Sequence, residues 1–398
     1  MNKDIIFTCD VSNAKNNMPR KLFLYKRKLM ISNENQDQSN IDVGLEQRSR
    51  EIQLRSHLTT ISWIYNENIL KGFKVSYQCN FSMAQKSITY LADAEKLIQL
   101  KQLLDGSVLY TDFNNYYQFK SSFMQKEDVQ VMILAKQISK YVQTETGELR
   151  LVKFVKINDQ SKVQQELNIV FELNQQKYQS ILEIDEVYKD SNEIIFVMKY
   201  CRVERDKALE IEEIKYIMKR LLKGVKHLHK LGVIHRDLKL DNIVLENQND
   251  IKSIKIIDFG LAVEIGYQTQ VRCGTPGYMA PEILNQEDYD ELVDIYSLGS
   301  IFHSLLSGQK LYPEYQDKNH LILLNQLNQI KVSSKILDLE QRQLLLLMIG
   351  HKKYRPSASL CLKHQFFSKF CVIPHPIENK VKQLCFPNIK NPFKSKCF

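Results

Sequence analysis

Glycine is scarce in this chain of 398 residues, which has 13 in all and none between Gly106 and Gly147. Tryptophan occurs once, at Trp63. The eight cysteines show no C-x-x-C spacing, which argues against a zinc site or a disulfide framework and is typical of free thiols in a reducing compartment. The best apolar run, Leu344–Ile349, has six residues, so we expect neither a membrane-spanning helix nor the apolar core of a signal peptide.

Positive charge is concentrated at the two ends of the sequence. The net charge is +9, of which residues 1–110 carry +4 and residues 368–398 carry +5, while the middle is balanced. An excess confined to the ends disfavours a nucleic-acid-binding core and indicates an anionic surface contacted by the termini. The apolar fraction of 43% and the charged fraction of 25% are those of a soluble globular protein, and the length favours two domains.

The first ninety or so residues have the composition of β-strands. Four stretches rich in β-branched and aromatic residues are predicted strands: Ile5–Val11, Lys21–Ile31, Glu51–Tyr65 and Phe73–Tyr77. The apolar period then changes to that of a helix, which we expect to begin near Ala94 and to stop at Gly106.

Three motifs in order carry most of the functional information. Residues 233–242 read VIHRDLKLDN, residues 256–260 read IIDFG, and residues 273–282 read CGTPGYMAPE. Together they resemble the catalytic and activation segments of the protein kinase family. The resemblance implies an α+β, bilobal kinase domain over residues 131–367. Its small β-rich lobe would cover 131–198 and its large helical lobe 199–367, with residues 111–130 as a linker.

The resemblance implies a role for each polar side chain of these motifs. Asp237 would accept the proton of a substrate hydroxyl or orient that hydroxyl, and Lys239 would contact the γ-phosphate of ATP. Asn242 and Asp258 would hold Mg²⁺. A lysine at position 239 resembles the serine/threonine branch of the family, so the predicted activity is phosphoryl transfer from ATP to protein Ser or Thr hydroxyls.

The ATP anchor in the small lobe is identified from fewer residues. Thr146–Lys153 resembles the turn and strand that deliver the family's ATP-binding lysine, which predicts that role for Lys153. Its carboxylate partner is predicted on the next helix as Glu166, with Glu172 as the alternative. The stretch Phe196–Cys201 resembles the hinge, with Met198 as gatekeeper and the backbone of Lys199 and Cys201 available to adenine.

The glycine-rich loop of the family is missing. Counting back from Lys153, the motif G-x-G-x-x-G-x-V falls on residues 135–142, where Val142 matches but none of the glycines is present. Glycine lets the backbone approach phosphates closely, so its loss predicts weaker ATP binding. It also keeps open an alternative function, that of a pseudokinase scaffold with weak or no catalysis.

Other residues of the large lobe have predicted structural or regulatory roles. Glu282 and Arg355 resemble the buried ion pair of the family, and Asp294 the helix residue that holds the catalytic-loop backbone. Val271 stands where many relatives have a phosphorylatable threonine, so Arg236, which would otherwise pair with such a phosphate, is predicted to have no partner. Thr269 is one of the nearest hydroxyls, and it is as consistent with an ordinary loop residue as with a phosphosite.

Strands followed by one closing helix over residues 1–110 resemble a pleckstrin-homology (PH) domain, although its usual tryptophan in the last helix is absent. We expect this PH-like barrel or sandwich to restrain the kinase domain, which follows it directly. The basic tail at 368–398 and this domain predict contact with an anionic lipid or membrane surface, and the expected location is cytoplasmic, peripheral at membranes. Candidate headgroup contacts are Lys15, Arg20, Lys21, Lys26, Arg27 and Lys28.

Overall fold

The structure is a computed structural model that describes residues 5–33, 50–67, 69–78, 84–122, 138–201, 209–247, 250–267, 270–312 and 318–367. It has the predicted α+β content and divides into two compact units. The first unit comprises Met1–Glu204 with Val244–Gln248, and the second Arg205–Ile243 with Asn249–Phe398. Among the described residues, no helix combines the length and apolarity needed to cross a bilayer.

The elements follow in chain order. The strands are β1 Ile5–Asn13, β2 Pro19–Tyr25, β3 Lys28–Asn33, β4 Arg50–Gln53, β5 Thr60–Asn66, β6 Ile69–Gln78, β7 Gln85–Leu91, β8 Leu109–Tyr110, β9 Tyr117–Ser122, β10 Ile138–Gln143, β11 Leu149–Lys156, β12 Ile184–Lys189, β13 Glu193–Lys199, β14 Val233–Ile234, β15 Ile243–Leu245, β16 Ile254–Ile256 and β17 Val263–Glu264. The helices are α1 Ala94–Leu104, α2 Phe113–Tyr116, α3 Gln160–Gln175, α4 Ile211–Lys230, α5 Pro281–Leu284, α6 Leu292–Ser307, α7 Lys318–Gln326, α8 Leu339–Met348 and α9 Ala358–Cys361.

The N-terminal strands form an antiparallel sheet in the order β4-β3-β2-β1-β7-β6-β5. Two predicted strands are each divided: Lys21–Ile31 becomes β2 and β3, and Glu51–Tyr65 becomes β4 and β5. Among the described residues β4 and β5 are not paired with each other, so the hydrogen bonding does not close a barrel. The predicted helix is confirmed as α1, which Asp93 caps by accepting from the backbone N–H groups of Glu95 and Lys96.

A two-residue strand joins the N-terminal sheet to the kinase-like strands. β8 runs parallel to β5 on one side and to β12 on the other, which makes one sheet of 13 strands. The predicted linker 111–130 also differs from the structure, because it contains α2 and β9, and β9 pairs with β10. β8 and β9 are short and are stabilised by pairing with other strands, so the periodicity of apolar residues did not predict them.

One apolar core extends across both parts of the 13-stranded sheet. It contains Trp63 and Phe73 of the N-terminal sheet together with Val152 and Val197 of β11 and β13. The predicted boundary between an N-terminal domain and a small lobe is therefore not a boundary in the packing, since the two share one sheet and one core.

A buried polar network lies within this core. Glu186 of β12 accepts hydrogen bonds from Lys101 Nζ at 2.9 Å, Tyr117 Oη at 2.6 Å and Tyr188 Oη at 2.8 Å. Burial opposes ionisation of Glu186, but the charge of Lys101 and the tyrosine hydrogen bonds hold its pKa below the usual value. The network ties α1 to β9 and β12, so it strengthens the connection between the N-terminal sheet and the small lobe.

The second unit is mainly helical. α4 is the longest described helix and buries Met218, Leu221 and Leu222 on one face. α6 is buried along most of its length, and Ile295, Tyr296 and Phe302 have no exposure. A helix that is buried on nearly every side requires packing all round, and α6 accordingly contacts both α4 and α8.

Asp185, next to Glu186, is expected to make the stability of the protein pH-dependent. Burial raises the pKa of Asp185 to about 6, and the charge of Arg150, whose Nε lies 3.5 Å from Oδ2, offsets only part of this effect. The folded state therefore binds this proton more tightly than the unfolded state, so the free energy of unfolding falls as the pH rises from about 4 to about 6.

Asp185→Asn should remove the decrease in the free energy of unfolding between pH 4 and pH 6, so the variant should be more stable than the wild-type protein at pH 7. The gain should be about 1 kcal/mol, a value reduced for screening because the side chain is about a third exposed. Urea unfolding of both proteins at pH 5 and pH 7 measures it, with the exposed Glu145→Gln as control. Equal differences at the two pH values would contradict the assignment.

Candidate active site

The first unit brings Lys153 and Glu166 together. Lys153 lies in β11 and Glu166 in α3, and the Nζ and Oε1 atoms are 3.3 Å apart with both side chains mostly buried. α3 begins after Asp159, whose carboxylate accepts from the backbone N–H groups of the first turn. The alternative partner, Glu172, does not contact Lys153 and instead forms an ion pair with Arg55 at 2.9 Å.

The predicted hinge, Phe196–Cys201, lies at the end of β13 in the same sheet. Met198 is buried and lies opposite Leu151 of β11, while Lys199 is exposed and forms an ion pair with Glu246. Cys201 is buried, and its thiol donates to the carbonyl of Lys199 at 3.6 Å. A thiol is a weak donor, and the carbonyl has a second lone pair, so this contact leaves the Lys199 oxygen able to accept from a ligand.

The segment that matches the glycine-rich loop lies partly in the β10–β11 hairpin. In the β10–β11 hairpin Ile138 lies directly opposite Lys153, whereas Val142 lies opposite Leu149 beside the turn. Val142, predicted to lie at the ATP site, is thus four positions along β10 from the residue that pairs with Lys153. Residues 135–137 of the predicted loop lie outside the described residues.

The second unit assembles Asp237, Lys239 and Thr275 into one hydrogen-bonded group. Lys239 Nζ lies 2.7 Å from Oδ2 of Asp237 and donates to the hydroxyl of Thr275 at 2.7 Å. That hydroxyl donates in turn to Oδ1 of Asp237 at 2.6 Å. Both oxygens of the carboxylate are thus fixed, and a buried lysine stands beside it. Thr275 was not predicted as a site residue, although it lies inside the CGTPGYMAPE motif.

Asn242 is held by hydrogen bonds to Asp237 within the catalytic loop. Its amide nitrogen donates to the carbonyl of Asp237 at 2.7 Å and to Oδ2 of Asp237 at 3.2 Å, which fixes the side chain and leaves Oδ1 as its free acceptor. Asp258 has a positive φ of 65° and accepts from the N–H of Gly260. An amide oxygen and a carboxylate are hard oxygen ligands that suit Mg²⁺, so the donor set fits the ion.

Asp294 holds the backbone of the catalytic loop, as predicted. This fully buried carboxylate of α6 accepts from the N–H of His235 at 2.9 Å, from the N–H of Arg236 at 3.0 Å and from Nε2 of His229 at 2.9 Å. Burial opposes its ionisation, but the hydrogen bond and charge of His229 hold the pKa of Asp294 below its usual value. His229 of α4 thus contacts the carboxylate that binds the loop.

Residues 136–367, more than half of the 398-residue chain, match the family model described as the protein kinase domain. The chain belongs to the protein kinase family. It is similar to the serine/threonine-protein kinase polo of Drosophila melanogaster, with 37% identity over 174 residues, and to probable serine/threonine-protein kinase 2 of Plasmodium falciparum, with 38% identity over 176 residues.

These matches cover 41% and 42% of the chain and 29% and 34% of the two relatives. Human myosin light chain kinase family member 4 is 32% identical over 254 residues, which are 58% of this chain and 63% of that protein. The chain thus spans less than two thirds of the length of each of these curated relatives.

A tyrosine contacts Arg236 and the segment that follows Asp258-Phe259-Gly260. Arg236 was predicted to lack a partner, which is wrong: its Nη1 donates to the hydroxyl of Tyr289 at 2.9 Å and its Nε donates to the carbonyl of Leu261 at 2.7 Å. The Tyr289 hydroxyl donates to the carbonyl of Val271 at 3.1 Å. Tyr289 therefore links Arg236 by hydrogen bonds to Val271, the position where many relatives have a threonine. Thr269, the predicted phosphosite candidate, lies outside the described residues.

Proposed function

We propose that the chain is a serine/threonine protein kinase that transfers the γ-phosphoryl group of Mg-ATP to Ser or Thr hydroxyls of protein substrates. The observation that carries the proposal is the closed group of Asp237, Lys239 and Thr275. A fixed carboxylate beside a buried ammonium is suited to a reaction in which one group receives or orients a hydroxyl proton and another neutralises phosphate charge.

Each residue of the group has a task in that reaction. Asp237 orients the substrate hydroxyl and receives its proton, while Lys239 stabilises the charge of the transferred phosphoryl group. Asn242 and Asp258 would hold Mg²⁺, which neutralises phosphate charge when bound. In the first unit Lys153, oriented by Glu166, would contact the ATP phosphates, and the backbone of Lys199 and Cys201 would bind adenine.

Phosphate incorporation from labelled Mg-ATP tests the proposal. Full-length protein is assayed alone and with a basic protein substrate, beside Asp258→Asn. Incorporation on Ser or Thr that the variant abolishes supports kinase activity. If ATP stabilises the fold of the wild-type protein but no phosphate is transferred, the proposal is wrong. The chain is then a pseudokinase, with the missing glycines as the cause of the lost catalysis.

The activity should not depend on phosphorylation of the activation segment. Phosphatase treatment is expected to change the rate less than twofold, because Tyr289 takes the place of a phosphate on Arg236. Tyr289→Phe removes a hydrogen bond to a buried cation, worth about 1.5–3 kcal/mol, and should lower kcat/KM about tenfold. Tyr267→Phe, an exposed hydroxyl of the same segment, is the control. A large loss after phosphatase would contradict this role.

For the N-terminal part we propose a PH-like module that brings the kinase to anionic membranes from the cytoplasm. The order of seven strands followed by α1 supports the PH likeness. Lys26 and Arg27 form ion pairs with Glu172, and Lys28 with Glu51, so Lys15, Arg20 and Lys21 remain the better headgroup contacts. The basic tail 368–398 lies outside the described residues. Sedimentation that is equal with neutral and anionic liposomes would remove this proposal.

A further inference from the structure

Two faces of α3 make contacts with different parts of the first unit. A helix turns about 100° per residue, so Gln164, Glu172 and Gln175 fall within an arc of about 80°, and Glu166 lies about 200° from Gln164. Glu166 faces Lys153. The other three contact Lys26, Arg55 and His57 of the N-terminal part. Residues outside the kinase motifs therefore contact the helix that carries Glu166.

The ion pair of Arg55 and Glu172 is the best-buried contact on that outer face. Arg55 Nη1 lies 2.9 Å from Oε2 of Glu172, Nη2 donates to the carbonyl of Phe171 at 3.3 Å, and the Arg55 side chain is 10% exposed. Lys26 and Arg27 each lie 3.3 Å from the same carboxylate. Burial opposes ionisation of Glu172, but the hydrogen bond from Arg55 and the positive charges hold its pKa below the usual value.

Gln164 adds a second attachment, to the backbone of the same segment. Its amide nitrogen donates to the carbonyl of Arg55 at 2.7 Å, and its amide oxygen accepts from the N–H of His57 at 2.8 Å. The carbonyl of His57 accepts from Lys189 of β12 at 2.7 Å. Residues 55–57 are thus bonded to both α3 and the sheet that carries Lys153. β8 and the shared core join the same two parts, so this segment is not their sole connection.

We propose that Arg55 and Gln164 are positioning residues for the ATP site, through which the N-terminal domain holds α3 so that Glu166 reaches Lys153. The domain then promotes nucleotide binding, which is the opposite of the restraint that the domain order predicts. The inference rests on the proposed function only in assuming that Lys153 contacts ATP, and it does not require phosphoryl transfer.

A double-mutant cycle on Mg-ATP affinity separates positioning from general destabilisation. Arg55→Met in the full chain should raise the Kd for Mg-ATP about tenfold, and Arg55→Lys should recover part of that loss. In a Glu166→Gln background the same substitution should change the Kd less than threefold, because the contact that it positions is already weakened. Lys28→Met, which removes an ion pair of similar length in the same domain, is the matched control and should leave the Kd unchanged.

Three results would overturn the proposal: an unchanged Kd, an equal loss in both backgrounds, or tighter binding that signifies restraint. Gln164→Ala provides a milder second variant if Arg55→Met does not fold, and it should raise the Kd in the same direction.

Amide hydrogen exchange tests the attachment of α3 without nucleotide binding or catalytic turnover. Arg55→Met or Gln164→Ala should speed exchange along α3 about tenfold relative to Lys28→Met, because the helix loses its outer attachment. Unchanged exchange would refute the proposal even if the wild-type protein failed to bind Mg-ATP. A wild-type protein that binds Mg-ATP but transfers no phosphate would refute the proposed activity and leave this inference standing.

Discussion

Asp237→Asn is expected to lower kcat for phosphoryl transfer by about 10²–10⁴-fold, the range of a lost general base. Asparagine keeps the shape of the side chain but carries no charge, and its amide nitrogen cannot accept a hydrogen bond. One of the two donors now bound to Asp237, Lys239 Nζ or the Thr275 hydroxyl, would therefore face an N–H₂ group. Initial rates at saturating Mg-ATP and substrate measure the loss.

The affinity for Mg-ATP should stay within about threefold of the wild-type value, because the proposed anchors are other residues. Glu264→Gln, which neutralises an exposed carboxylate of β17 in the same unit, should leave both quantities unchanged. A fall in kcat for Asp237→Asn below tenfold, or a loss confined to Mg-ATP affinity, would contradict the role of Asp237 in the chemical step.

The residues of the catalytic loop could be predicted because their spacing is local. Asp237 and Asn242 are close in sequence, and their side chains meet in the structure. Asp294 was also predicted, because it belongs to a recognisable stretch of a buried helix. Tyr289 was not, since its role depends on a hydroxyl that meets Arg236 across 53 positions of sequence. No residue pattern near Tyr289 indicates that contact.

The N-terminal part shows the limit of prediction from periodicity. The closing helix was predicted, because apolar residues recur at its period, although Ile98 and Leu103 of that stretch are half-exposed. The two residues of β8 carry no period at all, yet they join two groups of strands into one sheet. Gln164 and Arg55 lie in no recognisable sequence motif and are 109 positions apart, so their contact could not be predicted from the sequence.

Arg355→Met is expected to lower the free energy of unfolding by about 3–5 kcal/mol, because it leaves the buried carboxylate of Glu282 without its cation. The predicted pair is confirmed: Nη1 lies 2.5 Å from Oε1 and Nη2 3.2 Å from Oε2, with the two side chains 0% and 5% exposed. Arg355 also donates to the carbonyls of Leu292 and Gly350, and its guanidinium lies 5.1 Å from the ring centroid of Tyr296.

Urea unfolding of the single and double variants measures this loss and assigns its cause. The double variant Glu282→Leu, Arg355→Met should lose less than the sum of the two single variants, because no charge is then stranded. Lys352→Met is the matched control: its ion pair with Glu287 is 2.7 Å long but a third to a half exposed, so it should cost less than about 1 kcal/mol. Equal losses for Arg355→Met and Lys352→Met would contradict the expectation, since a stranded charge is costly only where water cannot reach it.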